Sequence, residues 1–401
     1  MLVNQPIYLD YAAATPLSKK ALAAMAPYFS DKFYNPSAAY LAANNARDDF
    51  ERARHQLAQS IGARPAEIIL TAGATESINL ALNVDGEILA SQIEHPAVLS
   101  CAAGRGDLIK VDKFGRVDLD DLKNKLTDKV EIVSVGLANS EIGTIQPLKQ
   151  IAEIIEKARE NRRARGVETP LYLHSDASAA AGLLDLNVAR LGVDLLTLNA
   201  AKCYGPKQVG LLYVKADVKL KPLIKGGGQE RNLRSGTENV AGAIGFAAAL
   251  DEASRHRQSE FKRLEKLRDE LKKFLAKEFG APADDNFQTN SEPISDGQIK
   301  FNGDPKHSLP NILNFSLKNL DGERALFALD EAGVMVATGS ACAANKGLRS
   351  HVLTAIGLSD NLADGSLRIS LGRPTTDAEI QRVKPILQKV LRQQLKFGQM
   401  R

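Results

Sequence analysis

PLYLHSDAS at 170–178 and VDLLTLNAA at 193–201 decide the fold. Each is a short, nearly continuous apolar run, the pattern of a strand covered on both faces rather than one alternating between core and solvent. The first ends around Asp176, and the second runs straight into Lys202. Toward the N-terminus, KVEIVSVGL (129–137) repeats the pattern before a predicted helix over 148–159. Earlier still, EIIL (67–70) precedes the turn TAGATES and the helical run SINLAL. Ala46, Phe50, Ala53, Leu57 and Ile61 recur at three- and four-residue steps, which predicts an amphipathic helix over 41–61 ending at Gly62. Strands alternating with helices predict the α/β class, with a mostly parallel sheet covered on both faces.

Toward the C-terminus, a charged helix is predicted over 259–279, with Phe261, Leu264, Leu267, Leu271, Phe274 and Leu275 on one side. The polar, Pro/Asp/Asn-rich stretch 281–297 reads as a loop. NILNFSL (311–317), a helix over 323–332, VMVAT (334–338), SLRISL (366–371) and a terminal helix from Asp377 make a smaller α+β unit. The expected division is a large α/β domain over 16–255, with 1–15 and 256–401 forming the small α+β domain.

A chain of 401 residues has room for two or three cores. With 44% apolar and 25% charged residues it is neither disordered nor fibrous. Lys and Arg number 52 against 48 Asp and Glu, a net charge of +4 that is too weak and dispersed to imply a nucleic-acid surface. Three cysteines, Cys101, Cys203 and Cys342, are too few and too scattered for a disulfide framework or a four-cysteine metal site, so no metal is expected. The opening MLVNQPIYLDYAAATPL lacks a basic segment followed by an apolar one, and no run approaches ~18 apolar residues. The expectation is a soluble cytoplasmic protein with no membrane or direct nucleic-acid partner.

TAGATES lies where a strand hands over to a helix, so the N–H groups of Ala74 and Thr75 with the Thr75 hydroxyl can hold a phosphate; the same turn equally suits a plain cap. Asp176 at a strand end calls for a cationic partner, which a protonated pyridine nitrogen would supply. Lys202 at another strand end offers an amine for Schiff-base chemistry, or a side chain reaching to solvent. Together, in that order, these are the parts that bind pyridoxal phosphate.

IYLDYAAATP, YNPSA, TAGATES, IEHPAV, NSEIGTIQP, HSDAS, KCYGPK, GGGQERNLRSGTENV, GSAC and LRISLGR run in the order and approximate spacing of the cysteine desulfurases, and the chain resembles that family from Ile7 to about Thr376. The resemblance implies a fold-type I pyridoxal phosphate-dependent transferase of class V aminotransferase kinship, with a seven-stranded large sheet. It implies that Lys202 joins the cofactor covalently, Asp176 pairs with the pyridine nitrogen, and His95 stacks on the ring and handles protons. Ala74 and Thr75 match the phosphate turn. Thr237 matches a threonine reaching the phosphate of a neighbouring subunit, which implies a homodimer. Arg368 matches the arginine that binds the substrate carboxylate, a task suited to its two parallel donors. Cys342 matches the nucleophile that takes sulfur from L-cysteine as a persulfide, and its neighbours Gly339, Ser340, Ala343, Asn345 and Gly347 read as a small, polar loop. Cys101 and Cys203 sit in no thiol pattern. The sulfur would pass to an acceptor protein, an iron–sulfur scaffold or a tRNA-thiolation enzyme.

Several expected cofactor contacts differ. Ser140 replaces a second asparagine, Ala179 a glutamine, Ala201 a histidine, and Asn199, carried as a cofactor contact, a serine; Tyr40 stands where a histidine is usual. Each lost hydrogen bond to a charged oxygen is worth roughly 1.5–3 kcal/mol. Two other readings accompany the desulfurase: a pyridoxal phosphate aminotransferase or lyase acting on a related amino acid, and a catalytically weakened partner in a sulfur-transfer complex. GSAC counts against the first and the altered contacts favour the second.

Overall fold

The computed structural model describes residues 6–280, 298–338 and 349–398. The predicted loop at 281–297 and the GSAC segment with Cys342 lie outside the described residues. Strands are numbered in chain order from β1 (Ile7–Tyr8). The large sheet contains β2 (Ile68–Thr71), β3 (Glu87–Ser91), β4 (Leu108–Ile109), β5 (Val130–Ser134), β6 (Tyr172–Asp176), β7 (Leu195–Asn199) and β8 (Gly210–Val214), in the order β2-β8-β7-β6-β5-β3-β4. Only β8 runs antiparallel to its neighbours within it. This is the α/β class with the mostly parallel seven-stranded sheet.

The continuous apolar runs follow from burial on both faces. Leu196 and Leu198 of β7 join Leu57, Val133, Leu173 and Phe246 in one core, while Leu195 joins Ile69, Ile78, Ile88, Val98 and Leu212 in the other. The helices Leu41–Ile61, Leu148–Ala164 and the start of Val240–Phe279 cover the first face, and Ala74–Ala81 and Pro96–Ala102 the second.

A second sheet combines β9 (Ile299–Asn302), β10 (Ile312–Leu317), β12 (Ala337–Thr338) and β13 (Ser366–Ser370) in the antiparallel order β12-β13-β10-β9, while β11 (Val334–Met335) pairs with β1. In SLRISL, Leu367, Ile369 and Leu371 enter a separate apolar core with the C-terminal helix Asp377–Gly398, which leaves Ser366, Arg368 and Ser370 to the opposite face. Ile7 and Leu9 belong to the same core.

Two readings shift. The helix predicted from 259 begins at Val240 and runs unbroken to Phe279, so the expected boundary near 255 lies within one helix; Phe246 and Leu250 pack in the first core, Leu264 and Leu271 in that of the second sheet. VAGAIGFAAAL is small and apolar all round, so it lacks the polar stripe that marks the later half. The strand read to 201 ends at Asn199, and Ala200–Lys202 is a 3-10 turn, which places Lys202 beyond the sheet.

Candidate active site

From β3 the chain steps outward to the edge strand β4 and returns to β5 on the other side of β3. The loops leaving these neighbours diverge, which opens a crevice at the carboxyl ends of the strands. A cavity of about 380 Å³ lies there, lined by His95 after β3, Ser140 after β5, Asp176 from β6 and Lys202 after β7, with Arg368 and His351 from the second unit. Ala74, Thr75 and Asn199 also line it. Residues from seven of the sequence motifs quoted above thus share one enclosure.

The TAGATES turn depends on two glycines. Gly73 has φ +133°, which side-chain-bearing residues rarely adopt, and it precedes the Ala74–Ala81 helix without any side-chain cap. A Cβ on Gly210 of β8 would lie 2.7 Å from Gly73 C, so only glycine at 210 lets the turn sit down on the sheet. Glu76 ties this turn to the GGGQERNLRSGTENV segment: its Oε1 accepts from Arg234 Nε (2.9 Å) and its Oε2 from Ala72 N (3.0 Å).

Asp176 is half-buried, and its Oδ1 accepts from Ser178 N at 2.9 Å. Two residues earlier on the same face, His174 is buried between Ser134 Oγ (2.9 Å from Nδ1) and Thr197 Oγ1 (3.0 Å from Nε2), a link across β5, β6 and β7. Burial drives the His174 pKa down to about 4 against the attraction of Asp176, so its ring is neutral. Lys202 Nζ donates to the carbonyls of Ala12 (2.6 Å) and Ala13 (2.7 Å). His95 opens onto the cavity and caps the Pro96–Ala102 helix, its Nδ1 accepting from Ala97 N at 3.1 Å. The surrounding protein lowers its pKa by desolvation; Asp176 opposes this, and Lys202 and His351 reinforce it. The neutral ring therefore carries its proton on Nε2.

Three groups that sequence reading passed over complete the wall. Glu94 is buried beside His95, with Gly136 N donating to its Oε1 at 2.9 Å; desolvation, reinforced by Asp176, pushes its carboxyl up to about 8. Glu141 is likewise pushed up to about 8 by desolvation, and Ser350 Oγ donates to its Oε1 at 2.6 Å. His351 Nε2 lies 3.0 Å from the Glu94 carbonyl. A glutamate in IEHPAV or SEIGT gives no local sign of being neutral, because desolvation is a property of the assembled fold.

Arg368 is 5% exposed and reaches the cavity from the polar face of β13. Its Nη2 donates to Asp10 Oδ1 (2.7 Å) and its Nη1 to the Ser140 carbonyl (3.2 Å), while its buried Nε–H finds no acceptor among the described residues. Ser140 contributes its backbone here, so this contact is independent of the asparagine it replaces.

Asn199 points its Oδ1 at Ala201 N (3.1 Å), capping the 3-10 turn that carries Lys202. Ala179 lines the cavity, whereas Ala201 is not among the lining residues. Thr237 is exposed and lies outside the lining. Tyr40 is exposed, its ring edge-on to Tyr34. Cys203 is buried, its thiol pushed up to about 12 by desolvation, and burial also raises Cys101; neither is a thiolate near neutral pH. Among the described residues no group of three or more His, Cys, Asp or Glu is placed to hold a metal ion, and no helix is long and apolar enough to cross a membrane.

Pyridoxal phosphate fits this lining. An amine, a carboxylate and an uncapped helix turn face one space, and the buried Ser178 Oγ on its wall has no partner among the described residues.

Residues 7–383 match the family described as aminotransferase class-V. The chain is 39% identical to the cysteine desulfurase IscS of Dictyoglomus turgidum, covering 97% of this chain and 95% of the relative. It is 37% identical to cysteine desulfurase IscS 1 of Archaeoglobus fulgidus, covering 96% of each. Among solved structures, a NifS-like protein superposes with TM-score 0.84 at 31% identity over 97% of this chain and all of the other. SspA in complex with cysteine superposes with TM-score 0.72 at 30% identity, covering 91% and 98%.

Proposed function

The chain belongs to the aminotransferase class-V family, among its cysteine desulfurases, and from that premise we propose that it converts L-cysteine to L-alanine with pyridoxal phosphate, placing the sulfur on Cys342. The observation that carries this reading is the convergence of Lys202, Asp176, His95, the Ala74 helix turn and Arg368 on one cavity.

The first-turn N–H groups at Ala74 and Thr75 would hold the phosphate, Asp176 the ring nitrogen and Lys202 the aldehyde carbon. When bound, pyridoxal phosphate supplies an electron sink for charge at the substrate α-carbon. Arg368 holds the substrate carboxylate through donors not spent on Asp10 and Ser140. His95, neutral and protonated on Nε2, moves a proton at the reacting carbons. The Cys342 thiolate attacks the substrate sulfur: the Cys342 S–S bond forms, the substrate Cβ–S bond breaks, and Cβ keeps that electron pair and takes a proton. L-cysteine and one thiol become L-alanine and one persulfide, with no outside oxidant.

Two copies would complete the sites. Thr237 is exposed and outside the lining of its own chain's cavity, and Phe29, Phe33 and Leu41 are 67%, 67% and 74% exposed, surface that a second copy would cover. The separate apolar cores of the large and second sheets support a large and a small domain joined through the Val240–Phe279 helix. An iron–sulfur scaffold or a tRNA-thiolation enzyme would take the persulfide sulfur. With both described cysteines held as thiols, a reducing cytoplasm suits the enzyme.

The test is brief exposure of the cofactor-loaded protein to L-cysteine, with alanine quantified and the Cys342 peptide weighed. One added sulfur on that peptide is expected, with none on Cys101 or Cys203 and no turnover by Cys342→Ser. Wild-type turnover by Cys342→Ser would replace this route with direct elimination.

A further inference from the structure

The segment LDYAAA, left without a role by the assignments above, lies between the two cationic groups of the cavity. Ala12 and Ala13 offer their carbonyls to Lys202 Nζ. Just ahead of them, Asp10 Oδ1 accepts from Arg368 Nη2 at 2.7 Å, across 358 positions of sequence. Asp10 is itself fixed on both sides. Tyr8 OH donates to its carbonyl at 2.8 Å, its backbone bridges to Ser370 of β13, and Ala12 N donates to Ser370 Oγ at 2.9 Å. Ser370 is two residues from Arg368, so the segment and the arginine share one strand as their frame.

A guanidinium as buried as this one requires an anionic partner. The other nearby carboxyl, Glu141, is held largely neutral at pH 7 by desolvation, which leaves Asp10 as the counter-ion. Asp10 is not part of the cavity lining, so it acts through the arginine rather than on substrate. Its contact and that of Ser140 take one hydrogen each from the two Nη atoms, leaving Nε–H and the outer Nη hydrogens for a ligand.

We propose that Asp10 is a positioning residue for the substrate carboxylate: the Asp10–Ala13 segment sets the plane of the Arg368 guanidinium relative to Lys202 and thereby the affinity for L-cysteine, without entering the bond-breaking steps. This rests on the reading of Arg368 as the carboxylate site.

The experiment compares Asp10→Ala, Asp10→Asn and Arg368→Met in the cofactor-loaded full-length protein. It measures KM and kcat for L-cysteine, cofactor content, and inhibition by 3-mercaptopropionate, which carries the carboxylate and thiol but no amine. Asp10→Ala should weaken 3-mercaptopropionate and raise KM about tenfold, the worth of one charge-assisted hydrogen bond, with kcat and cofactor content unchanged. Asp10→Asn, whose amide oxygen still accepts from Nη2 but carries no charge, should recover part of the loss, leaving KM raised about threefold. Unchanged constants in Asp10→Ala, an equal fall in kcat and cofactor content, or no recovery in Asp10→Asn would each overturn the proposal. Should Asp10→Ala not fold, Asp10→Asn decides alone: a KM raised about threefold at constant kcat supports it, and no shift overturns it. Unweakened 3-mercaptopropionate in Arg368→Met would instead remove the reading of Arg368, and this inference with it.

Discussion

Replacing Glu230 with alanine tests how the GGGQERNLRSGTENV segment is held. The Glu230 carboxylate accepts from Arg54 Nη1 and Nη2 and from Leu70 N, each at 2.7 Å, with side chains only 4% and 11% exposed for the glutamate and arginine. Desolvation works against the charge on Arg54, and Glu230 more than offsets it, so the guanidinium pKa is raised. Without Glu230, Arg54 keeps Glu51, half in solvent, and the Ile68 carbonyl, while the Leu70 N–H is left buried and unpaired. Breaking a buried pair on one side costs ~3–5 kcal/mol, which at about 1.4 kcal/mol per decade reduces the folded-to-unfolded ratio roughly a thousandfold. The segment bears a second load, since Glu230, Arg231 and Asn232 all have positive φ (46°, 57° and 62°), a left-handed run that non-glycine residues adopt only when held. Urea unfolding followed by circular dichroism measures the loss, and equilibrium dialysis of pyridoxal phosphate reports whether the released segment, which leads to Thr237, also weakens cofactor binding. A double variant, Arg54→Met with Glu230→Leu, removes both charges and should recover most of the stability. A loss under about 1 kcal/mol in Glu230→Ala, or a double variant as unstable as the single, would refute the reasoning.

Lys202→Ala should abolish the visible absorbance of lysine-bound cofactor and all turnover while leaving far-ultraviolet circular dichroism unchanged; retained absorbance would mean another amine is used. Ala179→Gln should tighten pyridoxal phosphate about tenfold by equilibrium dialysis, because residue 179 lines the cavity, while Ala201→His should change little. Equal effects at both positions would contradict the placement. Glu94 and Glu141 bear on pH: with folded values raised to about 8 from the ordinary 4.5, each favours the folded state fully below 4.5, and that contribution is lost as pH climbs to 8. The loss is at most roughly 5 kcal/mol per group, and Glu94→Gln or Glu141→Gln should flatten the decline in urea midpoint between pH 6 and 9. Parallel declines in wild type and variants would show that other groups set the slope.

Near-neighbour pattern alone determined much of this protein. Buried runs such as VDLLTLNAA and the alternation of SLRISL register the presence or absence of solvent on each face of a strand, so they reveal the parallel sheet and put Arg368 on the polar side of β13. Where neighbours carry no such contrast, the pattern is silent: GLLYV at β8 and EILAS at β3 are brief runs, and the first half of the Val240–Phe279 helix is apolar all round. The motif residues Asp176, Lys202, His95 and Arg368 were legible because each is a chemically distinctive group in a recognisable local setting. What each of them touches was decided only by the tertiary structure. Asp10 meets Arg368 across 358 positions, Glu230 meets Arg54 across 176, and Glu94 and Glu141 become neutral because packing removes water from them. Such pairings and pKa shifts depend on how two separately cored units close over one crevice, and no window of adjacent residues carries that distance or that dielectric.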